Sequence, residues 1–85
     1  MYFAYVLHSL TADRQYVGIS AHPERRLQEH NAGKVKSTRG YRPWQFLLKE
    51  RYPDRLAARQ REKYLKSAAG RRFRKQQLWG CSSAG

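Results

Sequence analysis

Two short runs near the N-terminus, Tyr2 to His8 and Gln15 to Ile19, constrain the fold more than any other feature of the sequence. Both are rich in aromatic and β-branched residues, which suit a pleated, half-buried surface. The connection between them, Ser9 to Arg14, is polar and short. The pair therefore reads as an antiparallel hairpin. Gly18 lies inside the second run, where a glycine marks a bulge or a point at which another group approaches the backbone closely.

The remaining chain supplies one more strand and three helices. Pro23 suits a first helical turn, Glu24 suits its positive end, and Gly33 suits a C-cap, which predicts a helix from Pro23 to about Ala32. Gly33 to Pro43 reads as a basic loop, and Trp44 to Arg51 as a third strand. Asp54 is a good N-cap for a helix running to about Ala69 and stopped by Gly70. Arg71 to Trp79 reads as a last short helix. The expected order is β-β-α-β-α-α, an α/β (α+β) fold with a small three-stranded antiparallel sheet flanked by helices. One domain over residues 1–79 and a flexible tail over 80–85 are expected. A chain of 85 residues buries only roughly 60–65% of its unfolded surface, which excludes a second core.

Charge narrows the function. There are 18 Lys and Arg against 6 Asp and Glu, a formal charge of +12. Such a balance points to a polyanionic partner, nucleic acid before anionic membrane. The mean hydropathy of -0.93 argues against a membrane-embedded chain. The N-terminus lacks a basic segment before its apolar run, so it does not read as a secretory signal, and a cytoplasmic location is expected. The single cysteine, Cys81, excludes an internal disulfide and a Cys-rich zinc site.

Turning the main helix at 100° per residue places Ala58, Leu65 and Ala69 on one stripe, with Ala57, Tyr64 and Ala68 beside it. This is the expected core-facing arc. Arg55, Arg59, Lys63 and Lys66 form a basic stripe next to it, and Glu62 lies at the border. The six acids fall on separate elements, which disfavours a two-metal site. A single divalent ion with one carboxylate fits better, since magnesium keeps several water and phosphate ligands. Glu62 is the candidate carboxylate, although spacing alone favours an ion pair with Arg59, Arg61 or Lys66.

Arg26 and His30 are four residues apart and share a helix face. A guanidinium can clamp a phosphate and offset transition-state charge, and a histidine beside it can bind phosphate or move a proton. The plainer alternative is a solvated face that touches the nucleic-acid backbone. Tyr5 and Tyr16 sit on the two hairpin strands, so their hydroxyls could converge to orient a water. Strand tyrosines are more often core residues with a wet tip. Tyr41 or Trp44 could stack on a base, though Trp44 better suits the core.

Taken in order, Ala4-Tyr5-Val6-Leu7, Tyr16-Val17-Gly18-Ile19-Ser20 and Pro23-Glu24-Arg25-Arg26-Leu27-Gln28-Glu29-His30-Asn31 resemble the GIY-YIG nuclease superfamily. The likeness continues through Gly33-Lys34, Thr38-Arg39, Pro43-Trp44, Ala58 and Glu62 to Leu65-Lys66, covering roughly residues 2–75. It is greatest to the small stand-alone bacterial members and extends to the nuclease domain of the bacterial excision-repair incision enzyme. The resemblance implies a divalent-metal-dependent endonuclease with a one-metal mechanism, acting on structured or damaged DNA. It implies catalytic roles for Tyr5, Tyr16, Arg26, His30 and Glu62, with Glu62 as the ligand of Mg2+ or Mn2+. It also suggests a protein partner for targeting.

The sequence departs from the family pattern in three places. The first half-motif reads Phe3-Ala4-Tyr5 and lacks its glycine and isoleucine. Ile19 stands where some repair-type members carry lysine, and no asparagine occurs late in the chain. Expected nucleic-acid contacts are Lys34, Lys36, Thr38, Arg39 and Arg42 in the loop, and Arg55, Arg59, Lys63 and Lys66 on the helix. The main rival reading is a non-catalytic nucleic-acid-binding module of the same fold. A ribosome-associated structural protein is a second.

Overall fold

The computed structural model describes residues 1–83, with side chains for residues 1–76. Its elements are β1 (Tyr2–Ser9), β2 (Gln15–Ser20), α1 (Pro23–Asn31), a single 3-10 turn (Arg39–Tyr41), β3 (Trp44–Tyr52), α2 (Arg55–Lys66) and α3 (Ala68–Ser83). This is the expected β-β-α-β-α-α order. Residues 84–85, the end of the expected tail, lie outside the described residues.

The sheet is antiparallel with strand order β2-β1-β3. Its central strand is buried on both faces, at Ala4, Tyr5, Val6 and Leu7. Alternation along β1 sends Tyr5 and Leu7 to one side and Val6 to the other. Tyr5, Leu7 and Trp44 form one apolar cluster, joined by Tyr16, Leu27, Tyr41 and Phe46. Val6, Val17 and Leu65 form the second, joined by Leu47, Leu48 and Phe73. Pairing between β1 and β3 shifts between Val6 and Leu7, whose partners are Leu48 and Phe46. The extra residue, Leu47, makes a bulge, so two consecutive leucines reach the same cluster.

Two helix ends follow the local chemistry. After α1, Gly33 takes φ 80, the left-handed conformation that glycine adopts without strain. Its N–H donates to the His30 carbonyl at 3.2 Å, and the Lys34 N–H donates to that of Glu29 at 3.1 Å. These two bonds make a Schellman cap. At the start of α2, Asp54 accepts from the Ala57 N–H at 2.9 Å, the N-cap its position suggested.

The C-terminal helices differ from expectation. α2 stops at Lys66, and Ser67 is extended with ψ 171. The Ser67 hydroxyl donates to the Tyr64 carbonyl at 2.5 Å and accepts from the Gly70 N–H at 3.2 Å, so it closes one helix and caps the next. Gly70 therefore stops nothing. It lies inside α3, where a Cβ would sit 2.0 Å from the Tyr64 carbonyl oxygen. The glycine lets the two helices cross at close range. Because α2 ends early, Ala68 and Ala69 are exposed rather than core. Tyr64, within α2, is also 41% exposed. The inward line of α2 is Ala58, Arg61, Glu62 and Leu65, an i, i+3, i+4, i+7 set.

Candidate active site

The hairpin brings Tyr5 opposite Gly18 in register, with Tyr16 two residues before it. A Cβ on Gly18 would lie 2.8 Å from the Tyr5 hydroxyl oxygen and 3.0 Å from the Tyr16 ring. The glycine thus provides the space in which the two rings sit, 6.4 Å apart between centroids. That is the close approach its place in the strand suggested.

Tyr5 is buried, 1% exposed. Burial raises its pKa above the ordinary phenol range, and the nearby Arg26 guanidinium partly opposes this. Tyr5 in turn favours the protonated state of Arg26. Arg26 also donates to Glu29 at 2.8 Å. The Glu62 charge acts on Tyr5 as well, in the direction that raises its pKa. Tyr5 thus feels both a cation carried by α1 and a carboxylate carried by α2. Glu62 is largely buried, at 16% side-chain exposure, and pairs with Lys66 at 3.3 Å. This is one of the ion pairs that helix spacing allowed.

His30 is fully buried, so it does not share an open helix face with Arg26. Its Nδ1 lies 2.7 Å from the Thr38 hydroxyl oxygen. That hydroxyl donates to the Val35 carbonyl at 3.3 Å. The His30–Thr38 contact fits either ring tautomer. Nε2 is buried with no partner among the described residues. The ring lies 4.6 Å from that of Tyr16. Burial and the nearby Arg26 charge lower its pKa below the usual histidine range, so the ring is neutral at pH 7.

Thr38 corrects an expectation. Its place in the basic loop suggests a nucleic-acid contact, yet it is only 4% exposed and its hydroxyl is occupied by His30 and Val35. Its carbonyl accepts from the Trp44 indole at 2.9 Å. Asn31 then ties α1 to the start of β3, accepting from the Trp44 N–H at 2.5 Å and donating to its carbonyl at 3.1 Å. His30, Thr38, Trp44 and Asn31 make a rigid corner behind the tyrosines. Trp44 is a core residue, as expected, and is closed to base stacking. The local signals for this corner were a histidine and an asparagine in one helical turn and a tryptophan beginning a strand. None of them names its partner.

The other expected contacts stay outside. Lys34, Lys36, Arg39 and Arg42 are exposed along the loop, and Arg55, Arg59, Lys63 and Lys66 along α2. Among the described residues no three His, Cys, Asp or Glu side chains gather to hold a metal ion. A divalent ion at the tyrosines would draw one carboxylate, that of Glu62. That donor fits a hard cation, which takes oxygen ligands and keeps much of its water.

Fold and site together describe a small α+β domain built on a tyrosine hairpin. The profile of the GIY-YIG catalytic domain matches residues 1–77, and the chain belongs to this family, which is one of endonucleases. It is 38% identical over 78 residues to a UPF0213 protein of Natronomonas pharaonis, covering 91% of this chain and 88% of that protein. A UPF0213 protein of Haloquadratum walsbyi is 45% identical over 64 residues, covering 74% of this chain and 70% of that one. The structure-specific endonuclease subunit slx1 of Xenopus laevis is 42% identical over 50 residues, 53% of this chain but 18% of its own length. No solved structure matches the chain at a significant level. Among the described residues, no helix is long and apolar enough to cross a membrane.

Proposed function

We propose that the protein is an endonuclease that hydrolyses phosphodiester bonds in nucleic acid, with structured or damaged DNA as its substrate. The observation that carries this reading is the tyrosine pair itself, Tyr5 and Tyr16 over a glycine that leaves their rings space, with the charges of Arg26 and Glu62 both acting on Tyr5. Family membership supports it. So does the name of the slx1 relative, which describes cleavage directed by structure.

Each residue has a task suited to its surroundings. Arg26 binds the scissile phosphate and offsets the charge that develops on it. Its bond to Glu29 holds the guanidinium in place beforehand. Tyr5 stays a neutral phenol at pH 7, because burial raises its pKa. It therefore orients the attacking water or a phosphate oxygen through hydrogen bonds. Tyr16 flanks the same space. His30, neutral and packed against the Tyr16 ring, would act on the reaction through Tyr16. Glu62 would hold one Mg2+ or Mn2+ ion, which when bound polarises a phosphate oxygen and stabilises the leaving oxygen. The exposed cations of the loop and of α2 hold the backbone without reading bases. A cytoplasmic location, a role in repair and a partner that directs targeting complete the proposal.

Incubating the protein with branched, flapped, nicked and single-stranded DNA, with magnesium or manganese, tests this reading. Wild type should cut at least one of them, and Glu62→Ala and Arg26→Ala should reduce cutting by at least about 100-fold while leaving binding. Salt-sensitive binding without cutting in wild type identifies the non-catalytic module instead.

A further inference from the structure

A second cationic feature lies beside the tyrosine site. β2 is an edge strand, and α3 passes it after the turn at Ser67. Between them is a groove of about 410 Å³, lined by Gln15, Tyr16, Val17, Lys66, Arg71 and Arg74. Three of these six residues are cations and none is an acid. The groove shares Tyr16 with the catalytic cluster, and Lys66 pairs with Glu62 at 3.3 Å, so the two sites are contiguous.

Arg74 is the informative residue. Its Nη1 donates to the Gln15 side-chain oxygen at 2.9 Å, which fixes the plane of the guanidinium against β2. Its Nε is buried and has no acceptor among the described residues. A buried donor left without an acceptor is costly, and more so when the group is charged. Arg71 adds a second positive charge nearby, and burial together with Arg71 lowers the Arg74 pKa. An anion entering the groove would offset the two guanidinium charges. A tetrahedral oxyanion suits a planar guanidinium better than a point charge does.

The geometry points to this groove as a phosphate subsite that takes one non-scissile phosphate of the bound strand, held by Arg74 and Arg71 with Lys66 at its mouth. The inference rests on the proposed nuclease reading for the identity of the polymer. Occupation would set the strand's register, presenting the neighbouring phosphate to Tyr5 and Arg26. The phosphate is either internal to the strand or a terminal 5′-phosphate, since both present anionic non-bridging oxygens to a guanidinium.

Binding in chelator, without metal, separates this claim from cleavage. The probes are one single-stranded oligonucleotide carrying either a 5′-phosphate or a 5′-hydroxyl, titrated by fluorescence anisotropy at several salt concentrations. The variants are Arg74→Gln, Arg71→Gln, and Arg51→Gln as an exposed cation on the opposite edge strand. Arg74→Gln should weaken binding about tenfold and lower the salt slope by about 0.7, the loss of one single-strand phosphate contact. Arg71→Gln should follow to a smaller degree, and Arg51→Gln should shift neither quantity comparably. Arg74→Lys, which keeps the charge without the fork, should recover part of the affinity.

Equal loss on both probes identifies an internal phosphate, and loss confined to the 5′-phosphorylated probe identifies a terminal one. If Arg74→Gln, shown to be folded by circular dichroism, binds both probes no worse than Arg51→Gln, the subsite does not exist. A wild type that binds as described yet cuts no DNA overturns the nuclease reading and leaves the subsite standing.

Discussion

The two faces of the sheet are built from different materials. On the α2 and α3 side, Val6, Val17 and Leu65 pack with Leu47, Leu48 and Phe73 into an apolar layer. Its rim is closed by Arg61, which binds Glu50 through bonds of 2.8 and 3.2 Å and lies over the Tyr64 and Phe73 rings. Tyr52 donates to the same carboxylate at 2.8 Å, so this rim is fully paired. The α1 side also holds apolar residues, Leu7 and Trp44, but buries His30 and Thr38 among them and leaves His30 Nε2 unpaired among the described residues. Each face keeps one buried nitrogen unpaired among the described residues, His30 Nε2 on the α1 side and Arg74 Nε on the α3 side. The His30 ring lies 4.6 Å from that of Tyr16. The apolar layer and the tyrosine cluster thus occupy opposite sides of a single central strand.

That division can be broken by mutation. The largest expected effect on folding is Leu65→Ala, which empties a fully buried position and should cost about 2–5 kcal/mol in urea denaturation. Cleavage per folded molecule should not change. Loss of activity in the folded fraction would mean that the apolar face also shapes the site.

Gly18→Ala tests the other face. The added methyl would meet the Tyr5 hydroxyl and the Tyr16 ring, so stability should fall by about 1–3 kcal/mol while cleavage falls by more than unfolding explains. Unchanged cleavage would show that the tyrosines tolerate displacement. Thr38→Val removes the partner of His30 Nδ1 and should cost about 1–3 kcal/mol.

The smallest effect is one of pH. His30 has a lowered pKa in the folded state. The unfolded chain therefore takes up a proton more readily than the folded one as pH falls. Stability should be complete above about pH 6.5 and decline below it, until the folded His30 titrates in turn. Replacing His30 with phenylalanine should flatten that part of the stability profile, measured by urea midpoints between neutral and mildly acidic pH. An unchanged slope would mean that another group titrates there.

Local chemistry made one part of the molecule legible and hid another. The hairpin, the Asp54 cap, the glycine after α1 and the demand for space at Gly18 could be read because each depends on residues close together in the chain. The α2 boundary could not. Ser67 serves as both an end and a beginning, and Gly70 answers to the Tyr64 carbonyl rather than to helix propensity. The same limit explains Thr38 and Arg74. A threonine in a basic loop and a cation in a terminal helix look like surface residues in sequence until folding supplies His30 for one and Gln15 for the other. Tyr5, Tyr16, Arg26 and Glu62 became candidates as a set through family resemblance. Residue spacing alone had left Glu62 as the member of an ion pair, which it also is.

The account depends on Arg26 acting in chemistry rather than in folding. It is partly exposed, and its pair with Glu29 is a surface contact worth little. The most direct measurement is single-turnover cleavage by Arg26→Ala beside wild type, on the best-cut DNA with saturating magnesium, together with the urea midpoint of each protein. The account predicts a rate lower by about 100- to 1,000-fold at an unchanged midpoint. A variant that cuts as fast as wild type, or one whose rate falls only because the protein unfolds, would contradict it.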